Sequence, residues 1–241
     1  MASVPIGRMC LFFLALVLVV ATPSAIPVYV ICFNRFHYIT HMVAQLRPLT
    51  SSIRLIDNKS TQPSLLAYYE SLRLDPIVSV MRMDANRGHA VFRTLFDSFP
   101  AVFALTDPDL RFRADVPLNM LEQLYQITEE FKIGKAGCAL NISDSLKILP
   151  IRSRTGFMVR DWEKRMWSSP RSSRTGLECY HTGIDTTMAV VNKRWFTWQD
   201  KNAAIRVAGA FTALHMPWLE RVDEDLEYMA SKNKSSGWWL N

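Results

Sequence analysis

Short apolar runs alternate along the chain with segments whose apolar residues recur at helical spacing. Residues 28–33 are apolar throughout and lie between Pro27 and Asn34, which is typical of a strand buried on both faces. Further strands are predicted at residues 52–56, 77–83, 101–105 and 136–140, and helices at 38–46, 63–72, 90–99 and 116–131. Because strands and helices alternate, the pattern predicts an α/β fold with a mostly parallel, Rossmann-type central sheet and helices on both faces.

The regular pattern ends near residue 140. Residues 152–182 are rich in Arg, Ser and Trp and show helical spacing only at residues 161–167. Apolar character returns at residues 184–192, directly after Gly183. We therefore expect an irregular carboxyl-terminal half that completes the sheet and forms one wall of a binding site at its edge. Residues 26–241 would then form a single domain.

Residues 1–25 have the features of a targeting segment. Arg8 precedes an apolar run at residues 9–21, and small residues follow it. The run is shorter than the roughly 20 residues that span a bilayer as a helix, which favours a cleaved signal peptide. The apolar residues 26–33 keep an uncleaved signal anchor open as the alternative. Both alternatives predict the secretory pathway (ER or Golgi lumen) or secretion, with membrane attachment if the segment is retained.

Composition narrows the class of protein only slightly. The 241 residues are 49% hydrophobic and 21% charged, as in an ordinary globular protein, and the net charge is +6. That charge suits an anionic ligand such as a nucleotide diphosphate, a nucleic acid or an acidic membrane surface, but does not choose among them. Outside residues 1–25, Cys32, Cys138 and Cys179 lack C-x-x-C spacing, so neither a zinc site nor a disulfide framework is indicated.

Polar residues follow three of the predicted strands at the point where each strand ends. These are Asp57-Asn58, residues 84–88, and Asp107-Pro108-Asp109. In open parallel sheets, ligands bind outside the carboxyl ends of the strands. The coincidence of three polar ends predicts a binding site at this edge.

Asp107 and Asp109 are candidate ligands of a divalent cation. Two carboxylates one residue apart can face one ion if the chain turns after the strand. Mn²⁺ and Mg²⁺ prefer such hard oxygen ligands and are often completed by substrate phosphates and water. The alternative is a proline-centred turn capped by an aspartate.

Two other strand ends offer groups for a nucleotide. Asp57 and Asn58 could hydrogen-bond a base edge or a ribose hydroxyl, and a turn or helix cap is the alternative. Asn86 and Arg87 stand beside Gly88, where the backbone can approach a ligand closely and the guanidinium can meet phosphate or a base. A loop with a solvated arginine is equally compatible with this segment.

Two candidates lie in the irregular half. Asp185 stands between Gly183 and an apolar run, where a carboxylate could act as the general base toward an acceptor hydroxyl. A strand-start cap is its alternative. His215 is a third candidate metal ligand, although a single histidine is more often a packed or hydrogen-bonded residue.

The order of these blocks resembles the nucleotide-sugar half of GT-A-fold glycosyltransferases. The resemblance rests on Asp57-Asn58-x-Ser60, Asn86-x-Gly88 and Thr106-Asp107-Pro108-Asp109, and it spans residues 27–239. Later blocks resemble a compact subgroup of these enzymes, and they are Trp162-Glu163-x3-Trp167, Gly183-Ile184-Asp185-Thr186-Thr187, Arg206-Val207-Ala208-Gly209 and His215-Met216-Pro217-Trp218. The resemblance implies a GT-A-like fold and a nucleotide-diphosphate sugar as donor.

The resemblance also implies a role for each candidate residue. Asp57 would contact the base or ribose, in a pocket that Asn86 and Arg87 complete. Asp107 would bind ribose or metal, and Asp109 would be the principal metal ligand.

The roles implied for the later residues are less complete. His215 would lie near the diphosphate or the metal. Asp185 falls roughly where inverting members keep their base, but the usual Glu-Asp pair is absent. This departure leaves the base and the choice between inversion and retention open.

The sequence therefore predicts a metal-dependent glycosyltransferase that uses Mn²⁺ or Mg²⁺. It would move a sugar from a UDP- or GDP-linked donor to a hydroxyl of a glycan, glycoprotein or glycolipid, and nucleic acid is not expected as a partner. A non-catalytic nucleotide-sugar or glycan-binding protein on a degenerate transferase fold is the alternative. A nucleotidyltransferase is disfavoured, because Asn34-Arg35-Phe36-His37 stands where a glycine-rich phosphate loop would follow the first strand.

We expect residues 147–182 to determine acceptor specificity. The hydrophobic pattern of this segment predicts less secondary structure than that of any other segment. Trp162 and Trp167 lie there and could stack against sugar rings.

Overall fold

The computed structural model describes residues 22–153, 155–220, 228 and 239–240. Within them the strands are β1 (Val28–Cys32), β2 (Ile53–Asp57), β3 (Val78–Arg82), β4 (Val102–Thr106), β5 (Leu110–Phe112), β6 (Lys135–Cys138), β7 (Arg152–Ser153), β8 (Pro170–Ser172), β9 (Glu178–Gly183), β10 (Ala189–Asn192), β11 (Ala203–Val207), β12 (Ala213–His215) and β13 (Trp239–Leu240). The α-helices are α1 (Phe36–Leu46), α2 (Pro63–Ser71), α3 (Val91–Leu95), α4 (Met120–Phe131) and α5 (Val159–Lys164).

Nine of these strands form one sheet, in the order β3-β2-β1-β4-β10-β6-β11-β9-β8. The first four in that order are parallel to one another, and β6 and β11 are parallel neighbours further along. Among the nine, β9 and β10 run against the other seven, since each is antiparallel to both of its neighbours. The predicted mostly parallel α/β sheet is confirmed, and the carboxyl ends of β1, β2, β3 and β4 share one edge.

The sheet is buried on both faces, as the apolar run of β1 predicts. Val28, Val30 and Cys32 belong to a core that includes side chains of α1, α2 and α4. Ile31 points to the other face, where it joins a second core with Phe92 of α3. Alternation of neighbouring residues between two cores is what a strand with two buried faces requires.

Helix α1 shows why these segments are helical. Its buried side chains recur at helical spacing, and they are Tyr38, Ile39, Met42, Val43 and Leu46. An apolar stripe of this kind gains free energy by covering the sheet while the opposite side stays in water.

The predicted helix at residues 90–99 is interrupted in the structure. A 3₁₀ turn at Gly88–Ala90 leads into α3, which covers only Val91–Leu95, and a second 3₁₀ turn covers Phe96–Ser98. The rings of Phe92 and Phe96 pack against Phe103 of β4 and Phe196. We attribute the tighter turns to this aromatic packing, which sets where each ring must point.

The prediction that residues 152–182 contain only a short helix is wrong. Besides α5, this segment contributes β7, β8 and most of β9. The residues of β8 are all exposed, and β8 is one of the two edge strands of the sheet. An edge strand without a buried face lacks the apolar pattern by which a strand is recognised in a sequence.

The apolar run at residues 9–21 lies outside the described residues. Ser24 is buried and forms a parallel bridge with Thr50, so contacts with the fold begin before residue 26. Within the described residues, no helix is both long enough and apolar enough to cross a membrane. Cys32, Cys138 and Cys179 are buried thiols that form no disulfide.

Candidate functional site

The strand ends predicted to carry the site meet at one edge of the sheet. Asp57 pairs with Cys32 of β1 on one side and with Arg82 of β3 on the other. The Asn58 amide donates to the carbonyl of Gly88 (3.2 Å), and its oxygen accepts from the Arg87 N–H (3.3 Å). The loops after β2 and β3 are therefore joined by the side chain of Asn58.

The Asp57 carboxylate is fully buried and accepts hydrogen bonds on both oxygens. Its partners are the Ser60 N–H (3.1 and 3.2 Å), the Tyr69 hydroxyl (3.3 Å) and Arg82 Nε (3.1 Å). A carboxylate offers about four acceptor positions, so most of them are used within the protein. Asp57 orders the loop around the proposed nucleotide pocket, and its contact with a base or ribose stays a prediction.

Asn86 and Arg87 lie in the loop after β3. The Asn86 side chain accepts from the Gly88 N–H (2.9 Å), which closes a tight turn. Gly88 has φ +52°, a conformation that glycine adopts without strain. The exposed Arg87 guanidinium forms an ion pair with Asp84 (3.0 Å), so it points toward solvent from the edge of the predicted pocket.

Asp107 follows β4 and contacts the segment between β9 and β10, residues 184–188. Its N–H donates to the Thr186 carbonyl (3.0 Å), and the Thr186 hydroxyl donates to its Oδ2 (2.6 Å). The residue keeps some exposed surface, yet its carboxyl group is surrounded by protein. This burial raises the pKa of Asp107 well above its usual range, the Asp109 charge adds to the rise, and the Thr186 hydrogen bond opposes it.

Gly137 of β6 explains how this segment reaches the sheet. A Cβ at this position would lie 2.2 Å from the Met188 carbonyl oxygen, so only glycine fits. That carbonyl accepts the Cys138 N–H at 2.9 Å. The close approach anchors the segment and thereby holds Thr186 beside Asp107.

Asp109 is buried, and its two carboxylate oxygens face two different basic side chains. Arg35 Nη1 donates to Oδ2 at 2.6 Å, and both side chains are 7% exposed. Oδ1 is buried and has no hydrogen-bond partner among the described residues, while His215 Nε2 lies 3.7 Å from it. Burial opposes ionisation, but the charges of His215 and Arg35 outweigh it and lower the pKa of Asp109.

The position of His215 follows from strand pairing. Strand β12 is antiparallel to β5, and His215 stands opposite Leu110, the residue after Asp109. The imidazole ring stacks on Trp218 with centroids 4.5 Å apart, and the Met216 N–H donates to the Asp109 carbonyl (2.9 Å). The structure thus brings together two of the predicted metal ligands across 106 residues of sequence.

Arg35 was not predicted as a site residue. Asn34 and Arg35 both have positive φ, at 36° and 152°, directly after β1. Such backbone conformations are strained in residues other than glycine and cluster at functional sites. The Asn34 side chain holds the turn by accepting the N–H groups of Thr61 (2.8 Å) and Gln62 (3.0 Å). The only feature of the sequence that points to Arg35 is a basic residue shortly after β1, at the polar edge of the sheet.

Asp185 is exposed and precedes Thr186 in the same segment, and its charge contributes to the raised pKa of Asp107. The backbone carbonyl of Asp185 accepts from Lys135 Nζ (3.1 Å), which also donates to the Ile184 carbonyl (3.0 Å). Asp185 and Thr186 line a cavity of about 450 Å³ together with residues from three other segments: His89, Ala90, Phe92, Arg93, Lys135, Trp198, Gln199, Lys201 and Asn202. Because Thr186 also binds Asp107, the cavity and the strand edge share one residue.

The acceptor residues were expected at 147–182, but none of them lines this cavity. Trp162 packs against Phe157 (6.1 Å) and Trp167 against Tyr180 (5.1 Å). Glu163, between them in sequence, is buried in direct contact with Arg206 of β11. These contacts are internal to the irregular half of the fold.

The residues at the strand edge fit a divalent cation that also binds a diphosphate. Among the described residues no group of three His, Cys, Asp or Glu side chains has metal-binding spacing. Mn²⁺ and Mg²⁺ at phosphates need only one or two protein carboxylates, because substrate oxygens and water complete the coordination. The buried Oδ1 of Asp109 faces His215 Nε2 at 3.7 Å but accepts no hydrogen bond, so a cation at this edge would supply a direct partner for this oxygen.

The nine-stranded sheet with carboxylates at its polar edge is a GT-A-like fold. Two solved glycosyltransferase structures share it. They are mannosyltransferase PcManGT from Pyrobaculum calidifontis with GDP-Man and Mn²⁺ (TM-score 0.50, 13% identity, 81% of this chain and 57% of that chain), and GalNAc-T7 with UDP, GalNAc and Mn²⁺ (TM-score 0.51, 12% identity, 83% of this chain and 45% of that chain). The chain thus spans about half the length of each. No protein-family model and no curated protein sequence matches the chain.

Proposed function

We propose that the protein is a glycosyltransferase that moves a sugar from a nucleotide-diphosphate donor to an acceptor hydroxyl. The observation that carries this proposal is the pair Asp107 and Asp109 at the carboxyl edge of a GT-A-like sheet, with one buried oxygen of Asp109 left without a hydrogen bond. The two solved structures with this fold contain a nucleotide or nucleotide sugar and Mn²⁺, which supports the same ligands here.

Asp109 is the residue best placed to hold Mn²⁺ or Mg²⁺. Its Oδ1 would be a direct ligand, and His215 Nε2 and the Asp107 carboxylate would complete the protein side. When bound, the cation supplies neutralisation of the charge that develops on the leaving diphosphate. Arg35, already paired with Oδ2, keeps the Asp109 carboxylate ionised and fixes its orientation.

The nucleoside would lie over the ends of β2 and β3. Asn58 fixes the backbone of Arg87 and Gly88, so this loop is preorganised to receive a ligand. Arg87 is exposed at the rim and can exchange its Asp84 partner for a base or a phosphate.

Asp185 remains the proposed general base. It lines the cavity next to Thr186 and is exposed, so an acceptor hydroxyl can reach its carboxylate.

The test is a screen of UDP- and GDP-linked sugars with the full chain, measured as nucleotide release with Mn²⁺, with Mg²⁺ and with a chelator. We expect metal-dependent release from one donor class, and Asp185→Asn should slow transfer more than it weakens donor binding. Equal release with and without chelator would contradict the assignment of Asp109 as metal ligand. No release from any donor would contradict the enzymatic proposal.

One observation favours a second candidate, a nucleotide-sugar-binding protein without catalysis. The Arg35–Asp109 ion pair places a cation where a metal would otherwise act on the carboxylate. Calorimetry with UDP and GDP separates the candidates, because this one predicts nucleotide binding that is independent of Mn²⁺ and no turnover with any acceptor.

A further inference from the structure

The cavity next to Thr186 has a charge opposite to that of the strand edge. Its lining includes the cations Arg93, Lys135 and Lys201 and one carboxylate, Asp185. These cations come from three separate segments of the chain, so no local sequence run produces the patch. A concave surface lined by one sign of charge concentrates ligands of the opposite sign.

Lys135 is the central cation of this lining. It is only 3% exposed, and two of its three N–H groups donate to the backbone carbonyls of Ile184 and Asp185. The ring of Phe92 lies 5.6 Å from Nζ. The ammonium group is therefore held in a fixed position at the cavity wall, with one donor remaining for a ligand.

Asp185 offsets only part of the cost of burying the Lys135 charge, so the lining favours a further anion from a ligand. The pKa of Lys135 is lowered to about 8, mainly because the ammonium group is buried; the Asp185 charge opposes this fall, and the Lys201 charge adds to it. At pH 7 the group is thus charged but incompletely compensated. An anion in the cavity would stabilise this charge and raise the pKa again.

Trp198 gives the same cavity an aromatic wall. Its ring packs on Phe96 (4.8 Å) and Phe196 (5.2 Å), with the Arg93 guanidinium 5.6 Å from its centroid, and 38% of the residue is exposed. An indole that is fixed on one side and partly exposed is a suitable stacking surface for a sugar ring.

We propose that this cavity binds the acceptor and that the acceptor is an anionic sugar, carrying a carboxylate or a phosphate, with Lys135, Lys201 and Arg93 on the anionic group and Trp198 on the ring. The volume of about 450 Å³ accommodates a monosaccharide or a terminal disaccharide unit. Only the assignment of this sugar as the acceptor rests on the proposed transferase function. Binding of the anionic sugar itself requires neither donor nor metal.

The test measures direct binding of glucuronate, glucose 6-phosphate and glucose to the full chain at pH 7 without Mn²⁺, by ligand-observed NMR and by quenching of tryptophan fluorescence. We expect at least one of the two anionic sugars to bind roughly tenfold or more tightly than glucose. A preference for glucuronate assigns a carboxylate, and a preference for glucose 6-phosphate assigns a phosphate.

Matched variants locate the binding. Lys135→Met should weaken binding of the anionic sugar roughly tenfold or more, and Lys201→Gln should do so severalfold at an exposed position where folding is not at risk. Lys164→Gln makes the same change in net charge at an exposed position of α5, outside the cavity, and should leave binding unchanged.

Three outcomes would overturn the proposal. The anionic sugars could bind no better than glucose, the Lys164→Gln variant could lose as much affinity as Lys201→Gln, or metal-free GDP could displace the anionic sugar from the cavity. Failure of the transferase proposal has a different signature. In that case anionic sugars bind and depend on Lys201, but no nucleotide sugar is turned over.

Discussion

Thr186 lies between two regions of opposite charge, the strand edge with Asp107 and the cavity that Thr186 lines. On one side Thr186 donates to Asp107, next to Asp109 and its buried oxygen without a hydrogen-bond partner. On the other side it lines the cavity whose cations include Lys135 and Lys201. We call these the carboxylate side and the cation side.

This difference indicates how two negatively charged substrates can meet in one site. Under the proposed function, a diphosphate would approach the two carboxylates only together with a cation, so the carboxylate side would select a metal-bound donor. The proposed anionic acceptor would be attracted to the cation side and repelled by the carboxylate side, so the two ligands would occupy separate places. Charge, and not only shape, would therefore determine which substrate binds on which side.

The largest expected effect comes from breaking the carboxylate side with Asp109→Asn. The variant loses a charged ligand of the proposed metal, so metal-dependent nucleotide release should fall roughly 10³-fold. Binding of an anionic sugar to the cation side should not change. Asp115→Asn is the control, because Asp115 is an exposed carboxylate paired with Arg113 and lies outside both sides. A loss of sugar binding in Asp109→Asn would show that the two sides are not independent.

The buried ion pair between Glu163 and Arg206 lies outside both sides, so its loss should change the stability of the fold and not the charge of either side. Glu163→Ala removes the carboxylate partner of the buried Arg206 and leaves the Gly183 carbonyl, which accepts from Arg206 Nε (2.9 Å). The variant should reduce the free energy of unfolding by about 3–5 kcal/mol. Urea unfolding measures this loss. Replacing both residues by Met should recover most of it, since no charge is then left uncompensated. If Glu163→Ala is as stable as the wild type, the pair does not stabilise the irregular half.

The cation side should respond to pH through Lys135. Its pKa of about 8 means that the protein loses this charge as pH rises, so affinity for an anionic sugar should fall about tenfold between pH 7 and pH 9. Asp185, Lys201, His89 and Arg93 are the other titratable or charged groups that face the cavity among the described residues. In Lys135→Met the affinity should be lower and flat over this range, and an unchanged slope would exclude Lys135 as its source.

The smallest effect should come from the aromatic wall. Trp198→Ala should weaken glucose and anionic sugars alike by roughly threefold to tenfold, because stacking does not depend on the charge of the sugar. The ratio between the two affinities should therefore stay constant, whereas Lys201→Gln should change it. A selective loss of the anionic sugar in Trp198→Ala would mean that the ring acts by positioning Arg93.

The carboxylate side could be predicted from the sequence, and the cation side could not. Asp107 and Asp109 follow a buried strand, and parallel strands necessarily bring their carboxyl ends to one edge. Arg35 was missed because its position depends on an unusual backbone conformation and on a partner 74 residues away. Lys135 begins a strand, where a charged residue has no periodic pattern that marks it as buried.

The irregular half shows the same limit. Its edge strand β8 has no buried face, so no hydrophobic pattern predicted it. Asp185 was identified as an isolated acid, but the cavity around it is assembled from four segments that meet only in the folded chain.

The central claim, a metal-dependent nucleotide site at Asp109, is tested most directly by calorimetric titration of GDP and UDP into the full chain with and without Mn²⁺. One of the two nucleotides should bind the wild type with Mn²⁺ at least tenfold more tightly than without it. Asp109→Asn should lose this metal-dependent increase. Binding that is equal in the presence of Mn²⁺ and of a chelator, or a full Mn²⁺ effect in Asp109→Asn, would contradict the account.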